Sequence, residues 1–160
     1  MYHAEDIPPV GLGTLLRALL AELEPAVEQA YALVDPRMRS RYYPILRHLI
    51  CHREASVGRI AAAVGVSQPA MTQTIRQMVD AGLLDVSPDA DRRARRVRMS
   101  EDGAAMVQQL RPTWRAVSDA AKTLERDSGV AIHAAFEGLL EALAEKDFAT
   151  RISEEKGPPQ

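Results

Sequence analysis

Between positions 67 and 76 the sequence sets Ser67, Gln68, Thr72, Gln73 and Arg76, side chains that donate and accept hydrogen bonds, and helical spacing brings the last four to one side. Arginine pairs bidentately with guanine, glutamine with adenine, and a threonine methyl fits against thymine, so this set suits base edges in a DNA major groove. Met71, Ile75, Met78 and Val79 form the opposite, apolar stripe of the same segment. A little further on, Arg92, Arg93, Arg95, Arg96 and Arg98 stand close together with only Asp89 and Asp91 beside them. That density gives a local positive potential suited to phosphates or to a narrow minor groove.

Local signals supply the elements that must hold these groups. Ser56 is a good N-cap for a short helix ending at Val64, with Val57, Ile60, Ala61 and Val64 on one narrow apolar face. Gly65 gives the permissive backbone of a tight turn, Val66 is expected to plug the angle between helices, and Ser67 caps the next helix. That second helix is predicted from about Gln68 to Ala81, with Pro69 tolerated in its first turn and Gly82 ending it. Leu83–Ser87 and Arg96–Ser100 then alternate with period two and read as a two-stranded hairpin.

Helix, glycine turn, helix and arginine-rich hairpin together resemble the winged helix-turn-helix of the MarR family of bacterial transcriptional regulators. Ile60-Ala61, Gly65-Val66-Ser67, Thr72-Gln73, Gly82-Leu83-Leu84, Asp91-Arg92-Arg93 and Ser100-Glu101-Asp102-Gly103 carry the likeness, and flanking helices extend it over most of the chain. The chain departs from the family at Gln73, where many members have a basic residue. The resemblance implies that Ser67, Gln68, Pro69, Thr72, Gln73 and Arg76 enter the major groove. It further implies that Arg92 or Arg93 of the wing reaches the adjacent minor groove, with Asp91 helping to hold the wing arginines; Arg95 is a further DNA-binding candidate.

The 160 residues fit one compact domain, and 46% hydrophobic with 4% aromatic residues suits helices built from Ala and Leu. The net charge of −2 hides a division: residues 36–98 hold 12 Arg and 5 acidic residues, a balance of +7, against −9 for the remainder. An acidic remainder repels DNA and leaves the basic segment as its docking surface. No apolar run approaches the roughly 20 residues that span a bilayer. The first residues also lack the pattern of a signal peptide, so a cytoplasmic protein without a membrane partner is expected. A glycine-rich phosphate loop, a nucleophile–base pair and a carboxylate cluster are all missing, which argues against an enzyme; no cofactor or metal is expected.

The fold class expected is mainly α, a winged helix-turn-helix with a two-stranded β-wing flanked by N- and C-terminal dimerisation helices. Leu12, Leu15, Leu16, Leu19, Leu20, Leu23 and Val27 repeat helically before Asp35-Pro36. Ile45, Leu46, Leu49 and Ile50 mark a second helix near 41–52, a long helix follows from Ser100 to about Arg126, and another begins after Ser128-Gly129. These stripes exceed what one chain covers, which predicts a homodimer reading an inverted-repeat operator, its half-sites about one turn, roughly 34 Å, apart. The partition is then 11–35 with 101–148 for dimerisation, 36–100 for DNA and 149–160 as a flexible tail.

Repression relieved by a small-molecule effector follows from the resemblance. Arg41, Tyr42 and Tyr43, with Arg39, either line an effector pocket or pack an interface. Cys51 reads as a buried or half-buried structural residue, and His48 and His52 as packed or solvated histidines, although their spacing also occurs in metal sites. The rival to DNA binding is a winged-helix homodimer that serves as a protein-binding scaffold.

Overall fold

In the computed structural model, which describes residues 10–88 and 95–156, seven helices and three short strands follow one another. Helix α1 (Leu12–Ala32) continues through Pro25. A 3-10 turn (Ser40–Tyr42) leads into α2 (Tyr43–His52), then β1 (Glu54–Ser56), α3 (Val57–Val64) and α4 (Gln68–Asp80). Strands β2 (Leu84–Pro88) and β3 (Arg95–Met99) precede α5 (Glu101–Ser128), α6 (Ile132–Glu145) and α7 (Phe148–Lys156). The chain divides into two compact units, Met1–Trp114 and Arg115–Gln160.

The core of the first unit is built from Tyr31, Met38, Ile45, Leu46, Leu49, Ile60, Met71, Ile75, Met78, Leu83, Val97, Met106 and Leu110. The α4 stripe therefore lies where its periodicity put it, with Val79 only half-buried. Gly65 and Gly82 both take φ of +75°, the left-handed conformation that a turn between helices and a helix exit require. Ser56 Oγ accepts from Arg59 N at 3.3 Å and Ser67 Oγ from Ala70 N at 3.4 Å, capping α3 and α4. Val66 is 43% exposed, so it does not plug the inter-helix angle, whereas Ile60 of α3 and Met71 of α4 are fully buried.

The expected two-stranded wing is a three-stranded antiparallel sheet in the order β1-β3-β2. Ala55 pairs with Val97, which also pairs with Val86. Three residues are too few to show an alternating pattern, and β1 exists only because β3 lies beside it.

Ser100 opens α5: its hydroxyl donates to Gly82 O at 2.6 Å and accepts from Gly103 N at 2.9 Å, while Ser100 N donates to Leu83 O at 3.1 Å. The end of α4 and the start of α5 are thus bonded around one serine. In the second unit, the composition of 149–160 suggests a flexible tail, yet residues 148–156 are helical. Asp147 accepts from Thr150 N and Thr150 Oγ1 at 2.9 and 2.8 Å, and Arg151 Nη2 donates to Ala142 O at 2.7 Å. A cap and a return contact to α6 give this polar segment its order. Neither α6 nor α7 contains a buried residue.

Candidate nucleic-acid interface

Helix α4 begins at Ser67, whose hydroxyl takes the Ala70 amide, and Pro69 has no N–H, so among the described residues the Gln68 amide is the first-turn backbone donor left without a partner. Gln68, Pro69, Thr72, Gln73 and Arg76 are all exposed, opposite Met71, Ile75 and Met78. Thr72 Oγ1 donates to Gln68 O at 2.8 Å. Its hydroxyl hydrogen is therefore spent inside the helix, and the methyl group and oxygen lone pairs are what remain for a partner. Gln68, Gln73 and Arg76 have no side-chain hydrogen bond or ion pair among the described residues. One exposed helix face thus carries unsatisfied amides and a guanidinium, the groups that read base edges.

The wing is more neutralised than its sequence suggests. Arg98 Nη2 meets Asp85 Oδ2 at 3.3 Å and Arg96 Nη1 meets Glu54 Oε1 at 3.3 Å, each pair bridging adjacent strands. Both acids lie outside the 92–98 run, which is why local counting missed them. Arg95 is exposed at the start of β3. Asp91, Arg92 and Arg93 lie outside the described residues.

Polar contacts from the segment between α1 and α2 hold α4 from behind. Asp35 is the buried charged residue of this region. Its carboxylate accepts from Arg37 N at 2.8 Å, Nε at 3.1 Å and Nη2 at 2.7 Å. The Arg37 hydrogen bonds keep that carboxyl below the ordinary range against the opposing effect of burial. Arg37 Nη1 donates onward to Ala81 O at 3.3 Å and pairs with Asp102. Its own pKa is raised by Asp35 and Asp102. Glu28 of α1 accepts from Ser40 N at 2.8 Å and Ser40 Oγ at 2.7 Å; burial raises its pKa, but these bonds and the nearby Arg39 and Arg41 lower it further.

The three residues expected at an effector pocket have different surroundings. Tyr42 is 5% exposed and belongs to the core. Arg41 lies 5.4 Å over the Tyr42 ring and donates to Gln77 Oε1 of α4 at 3.0 Å. Tyr43 packs edge-on, at 5.1 Å, against Trp114, whose buried indole N–H has no partner among the described residues. It also lines a cleft of about 290 Å³ with Arg47, His48 and His52, at which neither Arg41 nor Tyr42 stands.

Cys51 is exposed rather than buried, because the core side of α2 is taken by Ile45, Leu46 and Leu49. His48 and His52 stack at 4.3 Å, with His52 Nδ1 donating to His48 O at 3.0 Å. Burial, then His52 and Arg59, push the His48 pKa down. Among the described residues no group of three His, Cys, Asp or Glu could hold a metal ion, and no helix is long and apolar enough to cross a membrane.

Residues 38–94 match the MarR family model. Three solved structures share the fold. The M. tuberculosis transcriptional regulator MosR in complex with DNA is 21% identical, covering 84% of this chain and 96% of that one, with a TM-score of 0.70. A mutant MarR from E. coli complexed with operator DNA is 17% identical over 84% and 94% of the two chains, TM-score 0.66. The regulator PcaV of Streptomyces coelicolor, in complex with its natural ligand, is 18% identical over 88% and 99%, TM-score 0.64.

Proposed function

We propose that the protein, whose residues 38–94 match the MarR family model, is a homodimeric transcriptional regulator of that family that binds an inverted-repeat operator in double-stranded DNA. In this reading it represses there until a small-molecule effector releases it. The observation that carries the reading is the exposed face of α4, where Gln68, Thr72, Gln73 and Arg76 stand together above a fully packed stripe. A helix held this firmly on one side and unsatisfied on the other suits insertion into a major groove.

Dimerisation is supported by apolar surface that the chain leaves uncovered. Leu12, Leu15, Leu20 and Leu23 of α1 are 41–55% exposed, and Leu140 of α6 and Phe148 of α7 more than 60%. Each unit by itself thus leaves large apolar side chains in water, α1 in the first and α6 and α7 in the second, and uncovered apolar patches mark interaction sites. Two copies place two α4 helices on one duplex, which requires a palindromic site. DNA-bound and ligand-bound relatives with this fold are consistent with the DNA and effector roles.

Selection of bound sequences from a random duplex pool, followed by titration of the winner at two salt concentrations, tests the proposal. An enriched inverted repeat with half-sites about one helical turn apart is the expected result. Absence of enrichment, together with salt-insensitive binding, would overturn it in favour of a protein-binding scaffold.

A further inference from the structure

We propose that Arg37 is the positioning residue that sets the recognition helix α4 for sequence readout, acting from the strap between α1 and α2; this rests on the DNA-binding reading above. A helix ends on unsatisfied carbonyls that form its negative pole, and cations there are stabilising. The last turn of α4 contains no basic residue of its own. Arg37, far earlier in the chain, supplies the missing cation by donating to Ala81 O at the helix end.

The same guanidinium pairs with Asp102 in the first turn of α5, an acid placed at that helix's positive pole. One planar fork thus joins the end of the recognition helix to the start of the next helix. Asp35 fixes the fork from the other side through Nε and Nη2, and its own contact to Arg37 N locks the short strap. A lysine could hold only part of this arrangement, since a point charge cannot keep three directed partners at once.

Further bonds make the strap continuous with its surroundings. Arg41 grips the flank of α4 at Gln77, and Glu28 of α1 bonds both the amide and the hydroxyl of Ser40. A polar path therefore runs from α1, a helix with an uncovered apolar face, to the C-terminal end of α4.

The leverage is geometric. The 13 residues of α4 span about 20 Å at a rise of about 1.5 Å per residue. A tilt of about 5° at the Ala81 end moves the Gln68 end by about 1.7 Å, more than the whole range of donor–acceptor distances in a hydrogen bond. Arg37 is partly exposed, its side chain 37% accessible, so its pairs add little to stability. Their effect falls on where Gln68 and Thr72 meet the bases.

The test compares wild type, Arg37→Gln, Arg37→Lys and Asp102→Asn in affinity for the selected operator and for a random duplex at several salt concentrations, with melting temperatures alongside. Arg37→Gln is expected to lower the operator-to-random ratio at least about tenfold, the size of one lost base contact, with random-duplex affinity and its salt slope nearly unchanged. Arg37→Lys recovers only part of the ratio, and Asp102→Asn added to Arg37→Gln costs little more. A lowered melting temperature with an unchanged ratio overturns the proposal, because Arg37 then only stabilises the fold. Equal losses on both duplexes with a flatter salt slope overturn it too, since Arg37 would be a phosphate contact.

If the wild-type protein selects no sequence, the regulator reading fails by itself. Hydrogen exchange without DNA then decides the strap. Faster exchange of the Ala81 and Gly82 amides in Arg37→Gln, with Met71 and Ile75 unchanged, supports it; uniform rates in the two proteins overturn it.

Discussion

Replacing Gly103 by alanine tests how tightly the start of α5 is set against the exit of the recognition helix. A β-carbon at Gly103 would lie 2.1 Å from Leu83 O, 3.0 Å from Leu83 C and 3.2 Å from Ser100 Oγ. An ordinary C···O contact is about 3.3 Å, so α5 or the Leu83 peptide must move by roughly 1.2 Å. Leu83 is fully buried and its carbonyl already accepts from Ser100 N, so neither side yields without breaking a bond. Overpacking of this kind costs up to about 3 kcal/mol, and displacing the Ser100 cap adds about 1 kcal/mol. Alanine's better helix propensity returns about 1 kcal/mol, leaving a net loss of about 3 kcal/mol. For a chain of this length that lowers the melting temperature by roughly 6–12 °C.

The same substitution at Gly58 in α3 meets Gln68 Oε1 at 3.8 Å and Gln68 Cδ at 4.0 Å, both ordinary contacts. It is expected to raise the melting temperature by up to about 4 °C through propensity alone. Circular-dichroism melts of the two variants check both signs. A Gly103→Ala protein that melts with the wild type would refute the packing argument, and a Gly58→Ala loss would refute the propensity argument.

Three other outcomes are expected. Arg76→Ala and Gln68→Ala change the preferred sequence in a repeated pool selection, each by about 1–3 kcal/mol at its base, whereas Arg95→Ala weakens binding to all duplexes alike; uniform losses for all three would sink that division. Lowering pH removes stability in two stages, followed by thermal melts. His48 resists protonation when folded, so loss begins as pH falls below its ordinary 6.5. Asp35 and Glu28, both depressed, contribute fully above their ordinary 3.8 and 4.5 and lose that contribution as pH falls through the folded values; Asp35→Asn flattens this acid limb. Finally, Leu15→Glu with Leu140→Glu shifts sedimentation to the monomer, because both side chains are more than half exposed in one chain and are proposed to meet a second copy.

What the sequence disclosed was whatever sequence neighbours decide among themselves. Helix α4 was legible because its cap Ser67, its first-turn Pro69, its stripe and its terminal Gly82 all lie within sixteen positions. Strand β1 was not, since Glu54–Ser56 becomes a strand only by pairing with residues 96–98. The neutral pairs of the wing share that cause, Glu54 and Asp85 being remote from the arginine run. The Arg37 fork was equally hidden: Asp35-Pro36-Arg37 reads as a turn, and nothing local says that Ala81 and Asp102 lie beside it. Exposed Cys51 and Val66 were misjudged because each borders an apolar stripe in sequence, yet points away from the residues that fill it.

The charge balance of +7 over residues 36–98 overstates what DNA meets, and salt dependence can show by how much. Of the twelve arginines in that segment, Arg37, Arg96 and Arg98 are ion-paired. Arg39 and Arg41 are hydrogen-bonded to Pro36 O and Gln77 Oε1 within the fold. Arg47, Arg53, Arg59, Arg76 and Arg95 have no side-chain partner among the described residues. Each phosphate contact contributes about 0.9 to the slope of log affinity against log salt. Even with Arg92 and Arg93 added to those five, the slope per protomer should not exceed about 6.3, well short of the roughly 11 that all twelve would give. Asp85→Asn is the sharper probe. It frees Arg98 from a pair in which both side chains are at least half exposed, so stability hardly changes. Random-duplex titrations should then steepen by about 0.9, while Asp80→Asn, which removes a charge on α4 that pairs with nothing among the described residues, should leave the slope near wild type. Equal slopes for the two variants would mean that Arg98 is too far from the backbone for its release to matter, and that α4 alone, rather than the base of the wing, carries the protein onto DNA.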